Sequence, residues 1–259
     1  MPGERDMGAD GVLRPPADRW RAALVIVAHP DDEVIWCGGL ILRHPEWDWT
    51  VLSLCRATDD NRRPKFDRVC ERLQAQGIIS DLDDGNPLLP VYPPGDIGWR
   101  IRQHTCGQAW DLCLTHGANG EYGHPRHRQV HGEVLRLAAN GVLRCREVWT
   151  FAYACRAEAG ACRAQRDADL RVRLTEEQLA EKRRIVHEMY GYARDSFEVR
   201  ACISPEATTE RPFPSLSIIA GAGWGRKTAS TLPAEMALMA SPGPMALMST
   251  SVSGSSPFS

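Results

Sequence analysis

Residues 22–39 read AALVIVAHPDDEVIWCGG. The opening run, Ala22 to Ala28, is short, continuous and apolar and is closed by Pro30, which is the pattern of a buried strand. The strand then runs straight into His29, two adjacent carboxylates (Asp31 and Asp32) and a third, Glu33. Acids crowded at one strand end repel one another unless something positive sits among them, and a bound cation is the simplest candidate. An alternative is that Asp31 or Asp32 caps the helix that starts near Glu33. Acidic pairs after a first strand also occur in receiver-type signalling domains, but His29-Pro30 and a second histidine cluster downstream argue against that reading.

Outward from this stretch, strand and helix patterns alternate. Helix EVIWCGGLILRH is followed by strand Trp49–Ala57, helix KFDRVCERLQAQG, amphipathic stretch DIGWRIRQHT and strand Ala109–His116. The loop GANGEYG leads to helix RHRQVHGEVLRLAAN, strand Glu147–Ala154 and a last helix, TEEQLAEKRRIVHEMYGY, opening on the capping box Thr175-x-x-Gln178. Alternation of this kind predicts an α/β fold, a Rossmann-like three-layer sandwich with a mostly parallel sheet and helices on both faces. Chemistry in such sheets sits at the carboxyl ends of the strands, and both histidine clusters fall there.

The chain of 259 residues can bury one substantial core. Its 31 basic and 33 acidic residues give a formal charge of −2, without the basic face a nucleic-acid binder needs. The first twenty residues lack an apolar core segment, and no run of about 18 apolar residues suggests a membrane span. The nine cysteines, with no C-x-x-C pair, read as reduced, mostly buried thiols of a cytoplasmic protein. Residues 1–20 are expected to be a disordered lead-in and 21–203 the folded domain. Residues 204–259, rich in Ser, Pro, Gly, Ala and Met with MALM repeated at Met236 and Met245, read as a disordered tail. The runs Arg62-Arg63 and Lys182 to Arg184 read as solvated faces.

Two imidazoles and one carboxylate leave open coordination positions on a divalent metal, as catalytic sites require. His29, Asp32 and His127 form such a set, with Pro30 stiffening the turn. Asp31 then stands beside the metal, free to take a proton from water activated there. His124, His127 and His131 are spaced to share one helical face. Tyr122 and Glu121 precede them, the tyrosine able to point at a developing oxyanion.

AHPDDE (28–33), followed far downstream by EYGHPRHRQVH (121–131), resembles the PIG-L/LmbE family of metal-dependent N-deacetylases from about residue 22 to about 195. The resemblance implies hydrolysis of the acetamide of an N-acetylglucosamine-type conjugate, a small-molecule amino-sugar substrate. It implies His29, Asp32 and His127 as ligands of Zn2+, with Fe2+ also acceptable to this set, and Asp31 as general base. His124 is implied as general acid or oxyanion stabiliser, with Tyr122 assisting. Arg68, with Glu71 three residues on, and Asp84 of the Asp84-Gly85 turn are implied to bind the sugar. The family more commonly has Asp where this chain has Arg126, a cation expected to lower the pKa of His124. The alternative reading is a non-catalytic metal- or sugar-binding protein on the same fold.

Overall fold

The computed structural model describes residues 22–211, except 87, 90, 92, 94 and 157–159. Strand β1 (Ala22–Val27) pairs in parallel with β2 (Asp48–Ser53) on one side and β4 (Trp110–Thr115) on the other. Beyond β2 lies β3 (Gln76–Ile79), and beyond β4 lies β5 (Cys145–Phe151), all parallel. Two antiparallel strands, β9 (Glu206–Arg211) and β8 (Leu170–Val172), complete the sheet order β3-β2-β1-β4-β5-β9-β8. The expected mostly parallel α/β sheet is what the chain forms.

Alternation along β1 sorts the core into two halves, because successive side chains leave a strand on opposite faces. Ala23, Val25 and Val27 pack in a cluster with residues of α1 (Asp32–Arg43) and α2 (Arg62–Arg72). Leu24, Ile26 and Ala28 pack on the other side with α3 (Asp96–Thr105) and α5 (Pro125–Ala139). Those two faces and the sheet are the three layers. Strand order reverses direction between β1 and β4, since the chain leaves β1 toward β2 and β3 and returns to β4 and β5. The crevice beyond the carboxyl ends at that point is where open α/β sheets bind ligands.

Several local expectations are corrected. The helix read through Gly77 ends at Arg72, and Gln76–Ile79 becomes edge strand β3. Four residues with no alternation carry no strand signal of their own, and pairing to β2 decides their state. After β5 the chain turns into a hairpin of β6 (Tyr153–Arg156) and β7 (Ala161–Ala164). Cys155 and Cys162 are directly opposed there and joined by a disulfide, contrary to the all-thiol expectation. Cys37, Cys55, Cys70, Cys113 and Cys202 are buried free thiols, as the apolar patterns around most of them imply. The last helix keeps its capping box but is α-helical only over α6 (Glu176–Arg184), continuing as a π-helical turn over Ile185–Met189. A short helix, α7 (Phe197–Ala201), follows.

The boundary expected after residue 203 lies too early, because Glu206–Arg211 form β9 within the sheet. The proposed lead-in and the rest of the proposed tail fall outside the described residues. Glu206 explains why the strand docks. Its carboxylate accepts the backbone N–H groups of Gly39 (2.8 Å) and Leu40 (2.7 Å) in α1 and pairs with Lys182. Lys182 is fully buried, so the Lys182–Arg184 run is a solvated face only in part. Removing one partner of a buried pair strands the other charge, so Glu206→Ala is expected to cost about 3 kcal/mol. That corresponds to a melting temperature lower by roughly 6–12 °C for a domain of this size, which calorimetry would check. Among the described residues no helix is long and apolar enough to cross a membrane.

Candidate active site

Four strand ends supply the site. The turn after β1 carries His29, Pro30 and Asp31 and leads into Asp32 at the start of α1. The segment after β2 carries Arg56, Asp59 and Arg62, and the one after β3 carries Asp84. Beyond β4 come His116, the short helix α4 (Gly120–Gly123) and then His124 and His127 at the head of α5. Most of them border a cavity of about 310 Å3 whose walls include His29, Asp31, Asp32, Trp36, Arg56, Asp59, Arg62, Asp84, Tyr122, His124, Tyr192, Phe197 and Glu198. His116 and His127 are fully buried and are not among its walls.

Three donor atoms converge. His29 Nδ1 stands 3.3 Å from His127 Nε2 and 3.3 Å from Asp32 Oδ2, and His127 Nε2 stands 3.4 Å from the same oxygen. Atoms bound to zinc at about 2.0–2.1 Å in a tetrahedron lie about 3.3 Å from one another. The residues present therefore fit a tetrahedral metal on three protein ligands.

Each donor is oriented from behind. The outer nitrogen of His29, Nε2, lies 3.1 Å from Asp84 Oδ2, and the outer nitrogen of His127, Nδ1, lies 2.6 Å from Glu121 Oε2. A proton donated along each contact leaves the facing nitrogens, Nδ1 of His29 and Nε2 of His127, with free lone pairs. This is the carboxylate–histidine arrangement that supports metal ligands. Trp36 Nε1–H donates to Asp32 Oδ1 at 2.8 Å, while Oδ2 accepts the His29 N–H at 2.9 Å and keeps its second lone pair for the centre. Burial opposes the charge of Asp32, yet His127 and His116 outweigh it and hold its pKa well below the usual range. Burial likewise opposes charging His127, but Asp32 and Glu121 raise its pKa to about 10. A field that favours a positive charge this strongly also favours a cation.

His116 is the histidine that sequence reasoning passed over. It is fully buried and stacks on His127 with ring centroids 3.8 Å apart. Its Nε2 accepts the Ala28 N–H at 2.9 Å, so its proton sits on Nδ1, 3.0 Å from Glu121. With both nitrogens engaged, His116 braces Glu121 and has no lone pair for a metal. Glu121 thus serves two histidines, and they hold its pKa at about 2 against its burial. A histidine at a strand end with an acid five residues on was the available signal. His131 donates Nδ1–H to the His116 carbonyl at 2.7 Å and is likewise a brace.

Asp31 occupies the N-cap position of α1, but its side chain makes no capping bond, so the capping alternative is not realised. The carboxylate receives Arg62 Nη1–H at 3.1 Å and the Tyr192 hydroxyl. Burial and Asp32 raise its pKa to about 6, against the opposing pull of Arg62 and Tyr192. His124 caps α5 instead, its Nδ1 accepting the Arg126 N–H at 3.2 Å. Burial, with His127 and His29, lowers the His124 pKa to about 4. The Arg126 guanidinium is turned away from it, onto the Asp83 carbonyl (2.7 Å), Gln129 Oε1 (2.6 Å) and Asp84 (3.5 Å). The departure at 126 therefore anchors the Asp83–Asp84 loop. Tyr122 lies on the cavity wall with its ring edge-on to those of His124 and Phe197.

Of the two residues expected to bind sugar, Asp84 reaches the cavity but is engaged by His29, Arg56 and Arg126. Arg68 does not reach it. It lies on an exposed face of α2, about 9 Å along the axis from Arg62, the residue at the cavity wall. Spacing within the helix could not tell which turn abuts the site.

Residues 24–138 match the family described as PIG-L, GlcNAc-PI de-N-acetylase. An uncharacterized protein of Acanthamoeba polyphaga mimivirus is 26% identical over 121 residues, 41% of this chain, and the chain spans about half of that relative (53%). Similar solved structures include the N,N'-diacetylchitobiose deacetylase of Pyrococcus horikoshii, with TM-score 0.56 and 13% identity over 78% of this chain and 87% of that one. The 4-carboxy-2-hydroxymuconate hydratase of Pseudomonas putida gives 0.56 and 17% over 76% and 98%. A deacetylase of teicoplanin biosynthesis, in complex with teicoplanin, gives 0.53 and 16% over 73% and 99%. At such identities the likeness is one of fold. With a hydratase beside two deacetylases, function has to be argued from the site.

Proposed function

We propose, from the site geometry and the match of residues 24–138 to the PIG-L family, that this protein is a metal-dependent N-deacetylase of an N-acetylglucosamine-type conjugate. The observation that carries the reading is the triangle of His29 Nδ1, Asp32 Oδ2 and His127 Nε2, with sides of 3.3, 3.4 and 3.3 Å, beside a carboxylate that takes no part in it. The spacing supports zinc, because an octahedral site of the same bond length would bring neighbours to about 2.9 Å; the donor types also suit Fe2+. A divalent metal there would supply Lewis acidity and make water a nucleophile near neutral pH.

The chain's own residues do the rest. Asp31 accepts the proton that the attacking water loses. His124 has its Nδ1 occupied as an acceptor, so its proton is on Nε2. That tautomer supports oxyanion stabilisation, shared with the Tyr122 hydroxyl, over delivery of a proton. Asp31 is then the group that returns its proton to the departing amine nitrogen, giving free amine and acetate. The polar wall supports an uncharged, hydroxyl-rich substrate: Arg56 is paired with Asp84 and Asp59, and Arg62 with Asp31, so neither wall arginine is left to take up an anionic group.

The test is amine release from a panel of N-acetylglucosaminides by metal-loaded protein. Chelation is expected to abolish release and added zinc to restore it. Stoichiometric zinc with no amine from any member would overturn the enzymatic reading in favour of a binding protein.

A further inference from the structure

Asp31 is held in an unusual backbone conformation. Its φ of 127° and ψ of −30° lie in a region that side-chain-bearing residues seldom adopt. Such strain persists only where neighbours over-determine it. Here the backbone is held through Glu33, whose Oε2 accepts the Asp31 N–H at 3.0 Å and whose Oε1 accepts the Tyr190 hydroxyl at 2.5 Å. The side chain is held separately, its Oδ2 receiving the Tyr192 hydroxyl and Arg62 Nη1–H. Both hydroxyls come from one segment about 160 residues away in sequence.

That segment follows the π-helical turn. Tyr190 N–H bonds to the Ile185 carbonyl at 3.1 Å, five residues back, which widens the helix before it ends. In a continuing α-helix residues 190 and 192 would lie about 200° apart and could not serve one point. Gly191, at φ 86°, lies between them in the left-handed region and reverses the chain. Lys65 Nζ donates to the Tyr190 carbonyl at 2.7 Å, and His187 Nδ1–H to the Tyr192 carbonyl at 2.6 Å. Single-turn π-bulges are rare and recur at functional sites.

We propose that Tyr192 and the Tyr190–Glu33 pair, delivered by this turn, are positioning residues that hold Asp31 in its working orientation. The inference rests on Asp31 being the proton acceptor. Its test compares metal-loaded wild type with Tyr192→Phe, Tyr190→Phe, Asp31→Asn and the double variant Asp31→Asn/Tyr192→Phe, measuring kcat, KM and bound metal. Tyr192→Phe is expected to lower kcat about 10- to 100-fold, the range for a hydrogen bond to a charged group. Tyr190→Phe should lower kcat about 10-fold. KM and metal content should stay within about twofold in both. In the Asp31→Asn background, Tyr192→Phe should cost nothing further, because the group it positions is gone. Wild-type kcat in Tyr192→Phe, or an equal loss with and without Asp31, would overturn the positioning role. Wild-type kcat in Asp31→Asn would overturn the reading of Asp31 itself, and the positioning role with it.

Discussion

His127→Ala is expected to lose most of its bound metal and at least about 10³-fold in deacetylation together, since the several kcal/mol that a Lewis acid contributes depend on its retention. His127 offers a nitrogen 3.3 Å from His29 Nδ1 and 3.4 Å from Asp32 Oδ2. It is also fully buried. Inductively coupled plasma analysis of the purified variant, alongside its circular dichroism spectrum, separates loss of metal from loss of fold. Stoichiometric zinc in a folded His127→Ala protein would show that the ligand set is wrong. His116 cannot substitute, because Ala28 N–H and Glu121 already occupy its two nitrogens.

Asp31→Asn should separate chemistry from metal binding. The amide keeps the shape, but it cannot accept the proton of the attacking water. General-base assistance is typically worth about 10²- to 10⁴-fold in rate, and turnover should fall by that order. Zinc content should be unchanged, because the donor triangle does not include Asp31. Asp32→Asn is the internal comparison: its side chain supplies a corner of the triangle, so it should weaken metal binding instead. Turnover of Asp31→Asn near the wild-type rate would move the base elsewhere on the cavity wall.

The outcome for these two neighbours shows where sequence reading ends. AHPDDE, read as strand end plus metal-binding turn, puts His29 and Asp32 together, and the structure sets His29 Nδ1 3.3 Å from Asp32 Oδ2. A three-residue separation around Pro30 leaves little freedom, and the bond from His29 N–H to Asp32 Oδ2 at 2.9 Å is local. His127 was legible because its cluster follows a strand of the same parallel sheet. Glu121 and Asp84 were not legible as the supports of His127 and His29. One had the look of a loop residue and the other of a sugar ligand. Tyr190, Tyr192 and Arg62 were invisible for a similar reason: nothing in a helical pattern announces a π-helical turn or says which turn of a helix meets a cavity.

Periodicity and residue chemistry are local, and they were enough to read β1, β2, β4 and β5, the main helices between them, the mostly parallel sheet and the kinds of donor available; β3, β6–β9 and the π-helical turn depend on pairing and packing with distant residues. The choice among donors was decided by tertiary structure. Strand order β3-β2-β1-β4-β5 brings together the loops that follow four strands. His29 thereby meets Asp84 from 55 positions away and His127 from 98. A histidine presents whichever nitrogen its partner leaves free. Which lone pairs face the centre is therefore settled by contacts that exist only once the sheet has closed.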